Sequence, residues 1–310
     1  MKKSTAIVTS IMVAAVAGAI QAHATVASSG LLFEVDANND SDPSDGWDYT
    51  SNVASDGTLP LLNSPWGHLG APVGVPTRAV HPGGQAYFSH DGNNNVYAGP
   101  VGPKNITSWT YELWFERLGD GIAEGHLASF RLDTDPNGFT GNAFNISGFG
   151  AGGADPGILD FDTYDRAGYN GGSREKHADA VPAPLNEWQQ IVVTYQDATG
   201  EGLDNGILSA YINGSSTPVF QHSNAKQCMS CHGTADLGQV QIWNINGGET
   251  RRTPPSNIAI NRIYNRVLTP QEIAMNFNDA AAGLGIPEPS TIALLGIGLT
   301  GLMASRRRRG

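Results

Sequence analysis

The 310-residue sequence is poor in positive charge. It has 18 lysine and arginine residues against 29 aspartate and glutamate residues, and its formal net charge is -11. Its basic residues also concentrate at the two ends, at Lys2, Lys3 and 306–309. Because a nucleic-acid partner requires a basic surface that neutralises phosphates, we exclude this class of partner.

Charged residues of both signs and long apolar runs are also scarce. Charged residues make up 15% of the chain, which argues against a coiled coil, and the few apolar runs argue against a multi-span membrane protein. Glycine and proline are frequent instead, at 39 and 18 residues. This composition is typical of an all-β protein in which turns separate short strands. About 260 residues between the two ends are enough to bury the core of a two-sheet sandwich.

Residues 1–24 have the composition of a secretory signal peptide. Lys2 and Lys3 form a basic start, an apolar stretch occupies 6–20, and a small-x-small pattern ends at Ala24. The apolar stretch is short for the roughly 20 residues that span a bilayer, which disfavours a permanent membrane anchor. We therefore expect cleavage after Ala24 and export of the remaining chain.

The other end, residues 286–310, has three parts. Pro287, Glu288 and Pro289 form an extended Pro-Glu-Pro motif, an apolar run follows at 291–304, and four arginines at 306–309 hold its end on the cytoplasmic side. This arrangement resembles the PEP-CTERM sorting signal. The resemblance implies that an exosortase cuts near the motif and transfers the protein to the envelope or extracellular polysaccharide matrix of a Gram-negative bacterium. A plain C-terminal anchor is the alternative, although the apolar run is short for a span.

Three segments alternate apolar and polar residues with a period of two, as half-buried β-strands do. They are 109–116, 188–195 and 207–213. The third ends in Asn213-Gly214, a dipeptide that supplies the positive φ angles of a tight hairpin turn. We expect the second and third segments to pair antiparallel across the loop at 197–206. In the first segment the two faces divide as follows: Trp109, Tyr111, Leu113 and Phe115 on the apolar face; Thr110, Glu112 and Glu116 on the polar face.

A fourth strand, 258–264, precedes the one convincing helix of the sequence. Thr269 is a suitable N-cap, Pro270 suits the first helical position, and Glu272 completes a Thr-x-x-Glu capping box. Ile273 and Phe277 lie four residues apart and share one face. We therefore expect them to pack the helix onto the sheets.

These segments resemble those of the LamG-like, concanavalin A-like jelly rolls, in order and spacing, over roughly 30–280. The matching pieces are 87–93, 109–115, 187–195, 208–214 and 260–273. The last is the most specific, because a strand, Tyr-Asn-Arg, Leu-Thr-Pro and Glu-Ile occur in it together. The resemblance implies an all-β sandwich of two antiparallel sheets that binds glycans, proteins or calcium, and some relatives hydrolyse polysaccharides. Fold alone does not choose between these functions.

The two cysteines, Cys228 and Cys231, belong to the run Gln-Cys-Met-Ser-Cys-His-Gly at 227–233. This C-x-x-C-H spacing resembles the cytochrome c motif, in which two thiols reach the vinyl groups of a haem and the adjacent histidine, here His232, is an axial iron ligand. We therefore predict haem c attachment at Cys228, Cys231 and His232. His222 and His90 are candidates for the sixth ligand.

Two other interpretations of this motif stay open. Cys228 and Cys231 form a disulfide in an oxidising compartment, or they bind zinc with His222 and His232, although adjacent Cys231 and His232 would strain a tetrahedral site. The motif interrupts a β domain, as an insertion around 221–238 that precedes a strand expected at 238–243. A cytochrome c fold would instead surround the porphyrin with helices.

Acidic residues suggest two weaker sites. Asp160, Asp162 and Asp165 place carboxylates along one strand, as in jelly-roll glycosidases, but those enzymes use glutamates, so we interpret this strand as a solvated edge. Oxygen-rich loops at 36–48, 91–95 and 133–137 suit calcium. They lack the spacing of a defined calcium loop, and we interpret them as turns.

The sequence thus predicts a signal peptide at 1–24, one jelly-roll domain at 25–285 and a sorting segment at 286–310. We expect an exported binding protein, not an enzyme, with a polysaccharide or surface protein as ligand and an exosortase as its processing partner. The first rival is a redox haem protein on the same scaffold. The second is a polysaccharide hydrolase, whose activity would disappear when Asp160 or Asp162 becomes Asn.

Overall fold

A computed structural model describes twelve segments of the chain, and the structural statements below concern these residues. They are 26–39, 49–50, 77–90, 97–100, 106–119, 125–132, 141–148, 157–164, 174–198, 206–225, 237–242 and 255–286. The segments form fifteen β-strands, one α-helix and one 3-10 turn. The predicted all-β class is therefore confirmed.

The strands build two antiparallel sheets. The first has nine strands: β1 (Leu31–Asp36), β2 (Tyr49–Thr50), β3 (Thr77–Val80), β4 (Ala86–His90), β6 (Trp109–Arg117), β11 (Trp188–Gln196), β12 (Gly206–Ile212), β13 (Phe220–Ala225) and β15 (Ser256–Tyr264). Their order is β13-β12-β11-β6-β15-β1-β2, and β4 pairs with both β15 and β3. Strand β13 is thus the edge strand at one side of this sheet.

The second sheet has six strands: β5 (Tyr97–Pro100), β7 (Gly125–Leu132), β8 (Gly141–Gly148), β9 (Ile158–Tyr164), β10 (Arg174–Pro182) and β14 (Leu237–Ile242). Their order is β10-β9-β8-β7-β14-β5, so β10 is an edge strand. Sequence neighbours such as β7, β8, β9 and β10 pair directly, whereas β6 pairs with β15 and β11. This is the two-sheet antiparallel sandwich that the sequence predicts.

The main core lies between the two sheets. Trp109 of β6 is fully buried at its centre, and its ring lies 5.0 Å from Phe130, 4.7 Å from Phe144 and 5.9 Å from Tyr195, measured between centroids. Such aromatic pairs add to the free energy gained from burying their apolar area. The inward residues of β6, β11 and β12 therefore face the six-stranded sheet, as their alternation predicts.

The outward face of β6 differs from its predicted state. Thr110, Glu112 and Trp114 are fully buried there, because the C-terminal helix lies on this face and the ring of Phe277 stacks on Trp114 at a centroid distance of 5.6 Å. The prediction of a half-buried strand is wrong for β6. Alternation identifies the two faces of a strand, but it does not show whether another element covers the polar one.

The turn after β12 forms as its sequence predicts. Asn213 and Gly214 have φ angles of 48° and 68°, and the Ser215 amide donates to the Ile212 carbonyl at 2.9 Å. Strands β11 and β12 pair antiparallel as expected. The helix also requires glycine at 214, since a Cβ there would lie 2.8 Å from Cβ of Phe277.

The helix, α1 (Pro270–Ala281), begins at the predicted capping box. The Glu272 amide donates to Thr269 Oγ1 at 3.3 Å, and the Thr269 amide donates to the Glu272 carboxylate at 2.9 Å. Ile273 and Phe277 are buried against the nine-stranded sheet, which confirms their predicted packing role. In the part of the chain that the structure describes, no helix is both long and apolar enough to cross a membrane.

Candidate functional site

A buried polar network lies beneath α1, and Glu112 is at its centre. This fully buried carboxylate accepts hydrogen bonds from Trp114 Nε1 at 2.8 Å, Gln190 Nε2 at 2.8 Å, Asn276 Nδ2 at 2.6 Å and a guanidinium nitrogen of Arg262 at 3.4 Å. The donors come from β6, β11, β15 and α1. Buried charge is tolerated where it is paired and hydrogen-bonded, so this network holds the helix on the sheet.

Arg262 links this network to the first strand. Its Nε donates to Glu34 Oε1 at 2.6 Å, and a terminal nitrogen lies 3.9 Å from Asp279 of the helix. Burial alone lowers the pKa of Arg262, but the carboxylates of Glu112 and Glu34 raise it above its usual value. Arg262, part of the motif that resembles the LamG-like family most specifically, therefore connects β15 with β1, β6 and α1.

A cavity of about 490 Å³ opens on the outward face of the nine-stranded sheet, beside the end of α1. We call it the outer-face pocket. Its lining residues come from loops and strands that are far apart in the sequence: His81, Tyr87, Glu116, Asn186, Glu187, Trp188, Asn213, Leu284, Gly285 and Ile286.

The apolar part of the outer-face pocket is an aromatic pair. The rings of Tyr87 and Trp188 meet edge to face at a centroid distance of 5.4 Å. Trp188 is 9% exposed and packs into the apolar cluster under the helix, whereas Tyr87 is partly exposed. The Trp188 indole therefore forms the buried part of the pocket, and the Tyr87 phenol ring forms a more accessible part.

Carboxylates and amides surround this aromatic pair. Glu116 accepts a hydrogen bond from Asn257 at 2.6 Å, and Glu187 is exposed at the start of β11. Asn186 and Asn213 hold left-handed φ angles of 58° and 48°. Asparagine adopts this conformation more readily than other non-glycine residues, and at Asn213 the turn after β12 requires it.

A second cluster of functional groups lies where the edge strands of the two sheets approach. Glu175 and His177 belong to β10, and His222 belongs to β13. The His222 Nε2 atom lies 3.2 Å from Glu175 Oε1, and the His177 Nε2 atom lies 3.8 Å from Glu175 Oε2. Burial is the main cause that lowers the pKa of His177, and the His222 imidazole lowers it further, while Glu175 and Asp162 oppose the shift.

The predicted haem residues Cys228, Cys231 and His232 lie outside the described residues, as do Pro287, Glu288 and Pro289 of the sorting motif. The structure assigns Phe220–Ala225 to β13 and Leu237–Ile242 to β14. The connection that carries the cysteines is therefore 226–236, within the predicted bounds of 221–238. Of the two candidate sixth ligands, His222 lies on β13 and His90 is buried at the end of β4.

The acidic strand β9 is not a solvated edge. It lies between β8 and β10, and Asp160 and Asp162 are 1% and 0% exposed. Both carboxylates are on the face opposite Leu159 and Phe161, which belong to the main core. That interpretation is therefore wrong, because alternation with apolar residues does not distinguish an edge strand from an inner one. Asp165, the predicted loops 91–95 and 133–137, and residues 40–48 of the predicted loop 36–48 lie outside the described residues.

Sequence reasoning missed both sites that the structure brings together. The outer-face pocket draws on residues from 81 to 286, and no local pattern joins them. The histidine cluster had one sequence signal, the spacing Glu175-x-His177, which puts two possible ligands on one face of a strand. The third group, His222, comes from the other sheet and depends on the tertiary fold.

Comparisons with known proteins agree with this architecture. The family described as concanavalin A-like lectin/glucanases superfamily matches residues 90–274. The PEP-CTERM protein-sorting motif matches 285–309, which confirms the predicted sorting signal and implies export to the cell surface. No curated protein matches the sequence significantly.

Among solved structures, domain 4 of AbnA, a GH43 extracellular arabinanase from Geobacillus stearothermophilus, is 18% identical with a TM-score of 0.50, over 80% of this chain and 98% of that chain. An endo-β-1,4-glucuronan lyase from Trichoderma reesei is 12% identical with a TM-score of 0.41, over 62% and 88%. The binding domain of botulinum neurotoxin serotype D/C is 10% identical with a TM-score of 0.47, over 80% and 52%.

At these identities the similarity to the arabinanase domain shows the fold alone. The family match is stronger, because it covers more than half of the 310 residues and agrees with the observed sandwich. The chain therefore belongs to the concanavalin A-like lectin/glucanases superfamily.

Proposed function

We propose that this protein is a carbohydrate-binding module of the cell surface that acts by binding rather than catalysis, and that the outer-face pocket holds the sugar. The observation that carries the proposal is the pairing of Tyr87 and Trp188 with carboxylates and amides around one cavity of about 490 Å³. Binding sites for small molecules are commonly of this size, largely preformed and lined by apolar groups with a few polar ones.

The groups of the outer-face pocket complement the two faces of a sugar ring. The C–H face of a pyranose or furanose is apolar and packs on an aromatic ring such as that of Tyr87. The hydroxyls around its rim donate to the Glu116 and Glu187 carboxylates and pair with the Asn186 amide. Because carboxylates accept strong hydrogen bonds, these contacts give orientation as well as affinity.

Charge favours a neutral ligand. The described lining includes Glu116 and Glu187 but no lysine or arginine, and the whole chain carries a net charge of -11. A uronic-acid polymer would bring more negative charge to this site, and like charges repel. We therefore propose a neutral polysaccharide as the ligand, and the similar arabinanase domain is in complex with arabinotriose, a neutral oligosaccharide.

The outer-face pocket also lies next to the sorting signal. Leu284, Gly285 and Ile286 line it, and the Pro-Glu-Pro motif begins at Pro287. We propose that an exosortase acts at Pro287, Glu288 and Pro289 and delivers the domain to the envelope or extracellular matrix of a Gram-negative host. The cleaved end of the chain would then be beside the bound polysaccharide.

The proposal is tested with the exported protein on an array of neutral and anionic polysaccharides, followed by titration of the best neutral ligand. We expect Tyr87→Ala and Glu187→Gln each to weaken binding by about tenfold, which corresponds to about 1.4 kcal/mol. Gln221→Ala is the matched control, because Gln221 is exposed on β13 and lies outside the pocket lining. It is expected to bind like the unmodified protein.

Three results would contradict this assignment. Unchanged binding by both pocket variants would place the ligand elsewhere, and preference for a surface protein over every polysaccharide would replace the ligand class. Release of reducing ends that disappears in Asp160→Asn or Asp162→Asn would establish a hydrolase instead. Each variant is compared at equal folded concentration, since only then does a change in binding report on the site.

We propose haem c attachment as a second function, because the run at 227–233 has the C-x-x-C-H spacing. Cys228 and Cys231 would form the thioether bonds and His232 would be an axial ligand. The motif lies on the connection 226–236, between an edge strand of one sheet and a strand of the other. A haem there would serve electron transfer or redox sensing, with the sandwich as its scaffold.

The haem proposal is tested by a visible spectrum and a pyridine haemochrome assay. The protein is exported from a host that has cytochrome c maturation. Covalent haem gives a Soret band that survives acid-acetone extraction, and Cys228→Ser is expected to abolish it. A colourless protein from this host would eliminate the haem and favour a disulfide between Cys228 and Cys231. Polysaccharide binding by Cys228→Ser shows whether the two functions are independent.

A further inference from the structure

We propose that Glu175, His177 and His222 bind a divalent transition metal of the zinc type, which joins the edge strands of the two sheets. Glu175 and His177 are on β10 of the six-stranded sheet, and His222 is on β13 of the nine-stranded sheet. Their ligand atoms all lie within 4.8 Å of one another. None of the three residues lines the outer-face pocket.

The three side chains converge because of strand register. His177 pairs with Phe161 and His222 pairs with Leu208, and both partners belong to the main core. Each histidine therefore points from its own sheet toward the other. Their rings lie 4.7 Å apart between centroids at an interplanar angle of 53°, so they approach without stacking.

The distances are those of a nearly formed coordination shell. Zinc bonds to histidine nitrogen and carboxylate oxygen are about 2.0–2.2 Å long, so two ligand atoms of a tetrahedral site lie about 3.3–3.5 Å apart. The distance from His222 Nε2 to Glu175 Oε1 is 3.2 Å, and that from His177 Nε2 to Glu175 Oε2 is 3.8 Å. The three ligand atoms lie within 4.8 Å of one another, and side-chain rotation is expected to bring them the remaining distance to one ion.

The surroundings give the site a closed side and an open side. The His177 side chain is 4% exposed, and its ring lies 5.8 Å from that of Phe220. The His222 and Glu175 side chains are 40% and 24% exposed, which leaves a fourth position to water. The Thr163 hydroxyl lies 3.1 Å from His177 Nε2, and a bound metal replaces this hydrogen bond.

The ligand set selects the class of metal. Two imidazoles and one carboxylate suit zinc, nickel, cobalt or copper, whereas calcium and magnesium prefer shells of oxygen. One carboxylate also leaves a net positive charge on the bound divalent ion. Because the ion bonds to both sheets only in the folded state, it is expected to stabilise the sandwich increasingly as the free metal concentration rises above its Kd.

The experiment measures binding of zinc and of nickel alone to the exported protein. Cys228→Ser and Cys231→Ser are present in every sample, so that thiols do not contribute. We expect one equivalent of zinc by equilibrium dialysis and elemental analysis, and a higher Tm with zinc or nickel but not with calcium or magnesium. His222→Ala is the main variant, because this partly exposed residue can be replaced without opening the core. It should weaken zinc binding at least tenfold.

Further variants separate the ligands from their surroundings. Glu175→Gln is expected to weaken zinc binding, and Gln221→Ala, on the other face of β13, is the matched control that should leave it unchanged. His177→Ala is informative only if its far-ultraviolet spectrum is that of the parent, since His177 is buried. Failure to bind zinc, or equal zinc binding by the parent and His222→Ala, overturns the proposal. Neither result affects the polysaccharide titration, which tests the other site.

Discussion

Glu112 is a fully buried carboxylate whose hydrogen-bond donors come from four different elements. Arg262 donates to Glu112 and also to Glu34, so these three charged residues connect β6, β15 and β1. Removing one partner from such a group leaves the others buried and unpaired, which costs more than the pair itself contributes. Single residues in this network therefore determine whether the helix remains on the sheet.

We predict that Glu112→Ala destabilises the protein by about 3–5 kcal/mol, the usual cost of breaking a buried ion pair. The loss arises because the buried Trp114 and Gln190 side chains lose the acceptor of their N–H groups, and Arg262 and Asn276 each lose one of their acceptors. Urea denaturation followed by tryptophan fluorescence measures it. Gln196→Ala, at an exposed position on β11, is the control and should change the free energy of unfolding by less than about 0.5 kcal/mol. A loss of under 1 kcal/mol in Glu112→Ala would contradict the role given to this network.

The two faces of β6 show what residue patterns can establish. The apolar face is correctly predicted from Trp109 to Phe115, because inward side chains alternate by geometry alone. The outward face is not, since Glu112 and Trp114 are buried by a helix that lies about 160 residues later in the chain. The sequence does not show whether water or a distant side chain such as Asn276 forms the hydrogen bonds of a polar residue.

At the scale of elements, α1 is the part that its own sequence specifies most completely. Arg266 forms two hydrogen bonds to the Glu272 carboxylate, at 2.8 and 2.6 Å, and the same carboxylate closes the capping box with Thr269. All these groups lie within seven residues, and the spacing of Thr269 and Glu272 predicts the capping box, whereas the Arg266 contact appears only in the structure. The Arg266 guanidinium holds the pKa of Glu272 at about 2.

This pKa gives α1 a defined acid sensitivity. Because the pKa of Glu272 is lower in the folded state than its ordinary value of 4.5, its contribution to stability is complete above about pH 4.5. The contribution is lost as the pH falls through 2. The pair is partly exposed, so we expect the whole effect to be about 1 kcal/mol. Chemical denaturation at pH 6, 4 and 2 measures it.

Glu272→Gln is the variant that isolates this effect. It should be less stable than the parent at pH 6, and the difference should shrink toward pH 2, where about half of the parent carboxyl is protonated in the folded protein. Thr269→Ala is the comparison, because it removes the hydroxyl cap without removing the charge. If the difference between the parent and Glu272→Gln is the same at pH 6 and pH 2, the Arg266 contact does not set the pKa.

At the scale of the molecule, the candidate sites depend on chain segments that only the fold brings together. The outer-face pocket combines residues from 81 to 286, and the metal site combines β10 with β13 from opposite sheets. A local motif such as C-x-x-C-H can be found in the sequence because its chemistry needs adjacent residues. A pocket between a helix end and three strands has no such spacing, and its prediction requires the tertiary structure.

The extent of the domain follows from the same argument. The family match begins at residue 90, but β1, β3 and β4 lie before it and complete the nine-stranded sheet. Phe33, Val35 and Phe88 of these strands are 0% exposed in the main core, and Glu34 pairs with Arg262. A chain that starts at 91 therefore loses core side chains, two neighbours of β15 and one partner of the buried arginine.

We predict that residues 26–286 unfold in one cooperative transition and that residues 91–286 do not form a stable fold. Each large apolar side chain removed from the core costs about 2–5 kcal/mol, so three of them exceed the total stability of many domains. Circular dichroism with heating and limited proteolysis of the two fragments compare them directly. A fragment 91–286 with the Tm of 26–286 would show that the matched region folds alone. The preceding strands would then be an addition to the sandwich rather than a part of its core.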